Sequence, residues 1–385
     1  MENKKLKVGN FPPLRFPGFE GEWGTKKLGE ITSWSSGGTP SKDNPLFWNG
    51  DIPWISASTM RGHIYSDSEL KITQAGLKKG SRLASKGSLL ILVRGSMLFN
   101  KIPIGIASRD VAFNQDVKSI VVSDYSTPEY ILNWFLASEA KLLNMVTGTG
   151  IGAGKLDLKD LKELEIKIPS LSEQEKIASF LSLITDRIQT QNKIIEELKL
   201  LKNTIRYQLY EQILNQENEL VQVKDTLNYE QPTKYLVTNT DYSSDISLIP
   251  VLTANKAFVL GYTDEEFGIY DKGQCIIFDD FTMDIKFVDF LFKVKSSAIK
   301  ILTAKPNVNL KFIFEYLLFL NLSSNDHKRH YISEIEPMEI QLPNYTQQTY
   351  VADFLSSIDD KVKTEFEIHM LLIKQKQYLL ANLFI

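Results

Sequence analysis

The chain has 385 residues, 43% hydrophobic and 24% charged, a mix that excludes low-complexity disorder and collagen-like repetition. Its single cysteine, Cys275, excludes an intrachain disulfide scaffold and fits a reducing, cytoplasmic setting. The net charge of −3 is uneven: residues 1–171 carry 22 Lys and Arg against 17 Asp and Glu, and residues 216–344 carry 12 against 19, which leaves room for a locally basic, nucleic-acid-facing surface.

From the N-terminal side, no apolar run follows the basic start MENKKLKVGNFPPLRF, so no signal peptide is expected. A polar turn (SSGGTPSKDN, 35–44) precedes strands at 88–96, 119–123 and 163–169. A helix is expected over 128–146, followed by the glycine-rich TGTGIGAG (147–154). A long helix then runs over 172–215. The second half repeats the plan, with strands at 247–254, 274–280 and 288–294, a helix at 310–322 and a final long helix over 345–385. The longest apolar stretch, FIFEYLLFLNL (312–322), is too short to cross a bilayer, and no membrane span is expected. Strands mixed with single long helices, without regular alternation, predict an α+β fold.

The two halves are copies. LEIKIPSLSEQEKIASFLSLITDRIQT (164–190) aligns with MEIQLPNYTQQTYVADFLSSIDDKVKT (338–364) at an offset of 174, matching Glu165 to Glu339, Pro169 to Pro343, Gln174 to Gln348 and Asp186 to Asp360. Ser172 with Glu175 reads as a capping box for the first long helix, and Thr346 with Gln347–Gln348 as a weaker version for the second. Apolar residues recur every 4,3 positions: Ile177, Leu181, Ile184 and Ile188 in one helix, Val351, Leu355, Ile358 and Val362 in the other. This period predicts a coiled coil, antiparallel by the symmetry of the duplication. Polar residues interrupt both seams at matching places, Gln191 with Glu365 and Lys202 with Lys376. The expected division is 1–171 and 216–344 as globular domains, with 172–215 and 345–385 as helices.

Catalytic motifs fail. GTGIGAGK (148–155) has Thr149 where a P-loop needs glycine and Leu156 where it needs Ser or Thr, and it follows a helix rather than a strand. Asn44-Pro45-Leu46-Phe47 lacks the second proline, and the cofactor domain, of an amino-methyltransferase loop. His327 and His330 are three apart, but no ligand set accompanies them, so no metal site is expected. What remains is polar chemistry at strand ends, suited to phosphates and base edges: Thr39, Ser41, Lys42, Ser56, Arg61, Arg94, Asn114 and Gln115 in the first half, and Thr253, Asn255, Lys256, Asp280, Thr282, Lys286 and Lys305 in the second. The other class of reading is a DNA-free coiled-coil scaffold with two protein-binding domains.

The chain resembles the specificity subunits of type I restriction–modification systems. The residues that carry this are LRFPGFEGEW (14–23), KKLGEI (26–31), GGTPS (37–41), IPWIS (52–56), AFNQ (112–115), ELEIKIPSLSEQEKIASFL (163–181) and its degenerate copy at 337–355. The resemblance implies two target recognition domains, each reading half of a split, asymmetric site in double-stranded DNA, and two spacer helices that pack antiparallel. It implies two modification (methyltransferase) subunits as partners, joined by restriction/translocase subunits, with S-adenosylmethionine held by the modification subunits and no cofactor or catalysis in this chain. One departure stands out: Gln347 replaces Glu173 in the second helix start.

Overall fold

A computed structural model describes residues 10–150, 152–254, 257–324 and 328–385. The chain is α+β and divides into two compact units, one made of Met1–Gln191 with Ile368–Ile385, the other of Asn192–Glu367. Two long helices, Leu171–Leu214 and Tyr345–Leu383, each contribute to both.

In the first unit a five-stranded sheet runs in the order Thr32–Ser36, Val117–Val122, Leu89–Leu92, Ile104–Ala107, Ile64–Tyr65. A four-stranded sheet beside it centres on Trp48–Ile55, which pairs parallel with Val111–Phe113. Leu89–Leu92 is buried at all four positions, as an unbroken apolar run requires. The helix expected over 128–146 stops at Ala137 and resumes as Glu139–Asn144, with Ser138 caught between them in a non-helical conformation.

The second unit repeats this plan. Its four-stranded sheet runs Leu227–Glu230, Ile299–Ala304, Cys275–Asp279, Ile285–Val288, and a smaller sheet pairs Ile249–Leu252 parallel with Lys293–Val294. The strand expected over 288–294 is therefore two pieces in two sheets, separated by a turn. Burial pushes the Cys275 thiol up to about 12, which closes it to thiolate chemistry.

Both long helices start in the same way. Gly24–Lys27 pairs antiparallel with Glu165–Ile168, and Glu219–Gln222 pairs with Glu339–Leu342. The caps are Ser170 and Asn344, not Ser172 and Thr346: the Glu173 N–H donates to Ser170 Oγ (3.3 Å) and the Gln347 N–H to Asn344 Oδ1 (3.0 Å). Each cap directly follows its proline, whose missing N–H ends the strand there, and the helix starts two residues earlier than Ser172 and Thr346 suggest. One turn in, a buried glutamine ties each long helix to a shorter one. Gln174 Oε1 accepts from Ser126 Oγ (2.7 Å) and the Thr127 N–H (3.3 Å), and Gln348 Oε1 from the Asn309 N–H (2.9 Å). Thr127 and Asn309 are themselves the caps of Pro128–Ala137 and Leu310–Phe319.

The seam is antiparallel within each unit. Ile177, Leu181 and Ile184 share a core with Leu379, Leu383 and Phe384, and Ile188 packs at its edge. Val351, Ala352 and Leu355 share a core with Tyr210 and Ile213, with Ile358 at its edge and Val362 half-buried. Lys202, an interruption in the heptad pattern, is held by two carboxylates: its Nζ lies 2.7 Å from Glu315 Oε1 and 2.5 Å from Asp359 Oδ1.

Candidate nucleic-acid interface

Three separate stretches of the first half meet at one place. Trp48–Ile55 and Val111–Phe113 run parallel, so the residues after them, Ser56 and Asn114, emerge at the same end. The Asn114 N–H donates to Ile55 O (3.0 Å), the Gly38 N–H to Phe113 O (2.9 Å), and Trp54 Nε1 to Gly38 O (3.0 Å). A methyl group on Gly37 would lie 2.1 Å from Phe113 O, and one on Gly38 2.3 Å from Gly80 O, so only glycine allows this approach. It brings Thr39 Oγ1 within 2.7 Å of Gln115 Oε1. Lys118 Nζ donates to Gln115 O (2.7 Å), and burial pushes its ammonium pKa down.

Arg94 joins the same group. The Val93 N–H donates to Asp116 O (2.8 Å), which sets the exposed Arg94 beside this loop. Arg94–Gly95 then pairs with Gly154–Lys155, and that strand with Thr147–Gly148. The glycine-rich segment is thus a hairpin that carries Lys155 opposite Arg94. Ser41 and Lys42 are exposed on the 37–44 loop. Arg61 is exposed but lines a separate cavity with Asp67 and Glu69.

Asn114 faces inward. It is 7% exposed, and its Oδ1 accepts from the N–H groups of Asp116 (3.1 Å) and Val117 (3.0 Å), so it shapes the turn that presents Gln115. Asp280 is likewise internal. It is 2% exposed, its Oδ1 accepts from the N–H groups of His330 (3.1 Å) and Tyr331 (2.8 Å), and Lys300 lies 3.4 Å away. Both side chains are used up by the fold, which a strand-end position in the sequence does not reveal.

Backbone bonds map the second unit onto the first. The Lys295 N–H donates to Leu252 O (3.2 Å) as that of Asn114 does to Ile55 O, and the Asp280 N–H to Ala298 O (3.0 Å) as that of Val93 does to Asp116 O. The His330 N–H donates to Asp280 O (3.0 Å) as that of Leu156 does to Val93 O (2.9 Å). The second-unit residue at the place of Arg94 is therefore Phe281, at that of Asn114 Lys295, and at that of Lys155 Arg329. Lys295 and Arg329 are exposed cations that the sequence reading passed over. The offset of 174 from Lys155 was the available signal for Arg329. Lys295 had none, since only the parallel pairing places it.

Of the remaining expected residues, Thr253 follows the parallel strand as Ser56 does. Thr282 lies in the Asp279–Asp284 turn and Lys286 on the strand just after it. Lys305 sits at the far end of Ile299–Ala304, its Nζ donating to Lys224 O (2.6 Å). Asn255, Lys256 and His327 lie outside the described residues. His330 is buried, with Nδ1 3.0 Å from Glu334 and Nε2 2.6 Å from Ser324. Among the described residues no cluster of three His, Cys, Asp or Glu is placed to hold a metal, and no helix is long and apolar enough to cross a membrane.

Residues 20–200, which hold the first unit's loop group and the start of the first long helix, match the family described as the type I restriction modification DNA specificity domain. Over this stretch the chain is similar to type I specificity subunits. It is 47% identical over 133 residues to the EcoR124I/EcoR124II specificity subunit of Escherichia coli, covering 33% of each chain. It is 32% identical over 212 residues to the MjaIX specificity subunit of Methanocaldococcus jannaschii, covering 52% of this chain and 46% of that one. The chain thus matches between a third and a half of the length of these two curated relatives. The S subunit of M. genitalium shares the fold, with a TM-score of 0.60 at 14% identity over 97% of this chain and 99% of that one.

Proposed function

We propose that the chain reads DNA sequence for a type I restriction–modification complex, each unit addressing one half of a bipartite double-stranded target. The observation that carries this is the backbone equivalence of the two loop groups combined with their divergent side chains. Arg94 against Phe281, Gln115 against Ser296, the inward Asn114 against the exposed Lys295, and Lys155 against Arg329 are different chemistry on one frame. A constant frame positions the protein on phosphates, and varied side chains read different bases. The proposed reading set in the first unit is Thr39, Ser41, Lys42, Ser56, Arg94 and Gln115, with Lys155. In the second it is Thr253, Thr282, Lys286, Lys295 and Arg329.

The functional division proposed is 1–171 and 216–344 as recognition domains, with 172–215 and 345–385 as spacers. The spacers carry two modification subunits, to which restriction/translocase subunits add. Exposed apolar side chains on the long helices, among them Leu183, Leu200, Tyr350 and Leu371, support a docking role. Methyl transfer and S-adenosylmethionine belong to the modification subunits, and this chain is non-catalytic and cytoplasmic.

The test is methylation-sensitive sequencing of host DNA with and without the chain, beside gel shifts with its modification subunit. Arg94→Ala is expected to cost about 1–3 kcal/mol at one base position in one half-site only. Four residues inserted within 198–206 add about 6 Å, and should widen the gap between half-sites by about one or two base pairs without changing the bases. Absence of any sequence-dependent shift would favour a DNA-free scaffold instead.

A further inference from the structure

The offset of 174 relates two pockets as well as two helices. In the second unit a groove of about 590 Å³ is lined by Ser356, Asp359, Asp360 and Lys363 of the second long helix, with Lys311 beside them. In the first a pocket of about 390 Å³ is lined by Ser182, Thr185, Asp186 and Gln189 of the first long helix, with Glu129 and Asn133 beside them. The four long-helix positions correspond one to one. The short helices correspond through their caps, Thr127 and Asn309, so Glu129 stands for Lys311 and Asn133 for Glu315.

The charges differ. In the second unit Lys202 is satisfied by Glu315 and Asp359, and Arg206 Nε lies 2.7 Å from Glu315 Oε2. The first unit keeps the lysine: Lys376 is 174 residues from Lys202 and lines the pocket. Both carboxylates are gone, with Asn133 in place of Glu315 and Thr185 in place of Asp359, and Leu380 takes the place of Arg206. Asn133 Nδ2 is turned to Glu129 O (2.8 Å) and Thr185 Oγ1 to Leu181 O (2.8 Å). Among the described residues Lys376 makes no ion pair or hydrogen bond, and burial pushes its ammonium pKa down.

The other charged or titratable groups facing the pocket are Arg61, His63, Glu129 and Asp186. His63 Nδ1 is engaged with Ile104 O (2.8 Å), and burial keeps its pKa low. Glu129 and Asp186 form no ion pair with Lys376. A partly buried ammonium without a counter-ion, beside open volume, is the cationic half of an ion pair.

We propose that the first unit's pocket binds a carboxylate on Lys376, with Arg61 at its rim, in the place that the second unit fills with its own Glu315 and Asp359. The carboxylate comes either from a small free dicarboxylate or from an acidic side chain of a protein bound to this chain. The second source rests on the scaffold reading above, and the first does not.

Thermal unfolding of the full chain in sodium malonate, against sodium chloride at equal ionic strength, tests the site. Malonate is expected to raise the wild-type midpoint in proportion to the logarithm of its concentration. Lys376→Met should weaken that response roughly tenfold or more. Asn133→Glu with Thr185→Asp should abolish it, while itself unfolding at a higher temperature than wild type. A parallel arm follows acetylation of Lys376 by peptide mass spectrometry, with malonate or with the purified modification subunit present. Protection by malonate identifies a free anion. Protection by the subunit alone, lost in a complex formed with the double-acid variant, identifies a partner side chain. A malonate response unchanged in Lys376→Met overturns the proposal. So does the absence of both response and protection, while co-elution reports separately on whether a complex forms.

Discussion

The two long helices begin with one tie in common and one that is not shared. Both bury a glutamine against the cap of a shorter helix, but Gln174 makes four hydrogen bonds, to Ser126, Thr127, Tyr125 and Pro169, where Gln348 makes two, to Asn309 and Pro343. One residue earlier, the Glu173 carboxylate receives Arg15 through Nε (2.7 Å) and Nη2 (2.8 Å), whereas the Gln347 side chain donates to Gln216 (3.0 Å). Duplicated units keep what closes the strand–helix junction and are free to alter how it is reinforced. Charge has moved in opposite directions: the first unit invests it at the helix start, the second in the cluster around Glu315.

The sharpest way to break this comparison is at Glu315, which is fully buried. Glu315→Leu leaves Arg206 only Asn203 and Lys202 only Asp359, and should cost the second unit about 3–5 kcal/mol. Asn133→Leu, at the matching place, should cost under about 1 kcal/mol. All five tryptophans, Trp23, Trp34, Trp48, Trp54 and Trp134, lie in the first unit. Urea unfolding followed by tryptophan fluorescence therefore reports that unit, and hydrogen exchange over 192–367 reports the other. Next in size, Gln174→Leu should cost about 2–3 kcal/mol and Gln348→Leu about 1–2, in proportion to the partners left unsatisfied. Equal costs would show that the extra bonds of Gln174 contribute nothing.

Arg15→Ala should cost about 1–2 kcal/mol, since Glu173 is left nearly buried, while Gln347→Ala stays within about 0.5. A further effect is in acid. Hydrogen bonds from Thr238 first, then the Asn239 N–H and Lys293, hold Glu265 down to about 2, from an ordinary value of 4.5. A depressed carboxylate stabilises the fold above its unfolded pKa, and that contribution is lost as pH falls from about 4.5 through 2. Glu265→Gln should flatten this limb for the second unit and leave the tryptophan signal of the first unchanged.

Periodicity and duplication were legible in the residues: the heptads, the buried strand at 89–92, and the offset that equates Gln174 with Gln348. Motifs distant in sequence, GGTPS, IPWIS and AFNQ, could be named, but only the parallel pairing of two strands shows that they converge. The caps lie two residues earlier than expected because capping side chains stand on both sides of each helix start, Ser170 and Ser172 in one and Asn344 and Thr346 in the other. Asn114 and Asp280 look like any polar loop residue until backbone N–H groups are seen to claim them. The empty counterpart of the Lys202 cluster was half-visible, as a lysine recurring at Lys376. One missing partner, Thr185 for Asp359, follows the same offset, but the other, Asn133 for Glu315, lies on a short helix that does not.

The division of the chain also sets an order of events during synthesis. The second unit is one continuous stretch, Asn192–Glu367, whereas the first draws Leu379, Leu383 and Phe384 into a core built largely from residues below 191. A nascent chain emerging from the ribosome holds every residue of the second unit before it holds the last of the first. The later-encoded unit can thus reach its native packing first, the reverse of the usual N-to-C sequence. Until the last turns of the second long helix arrive, Ile177 and Leu181 present an uncovered apolar stripe, and that interval is when the chain is most open to misassembly.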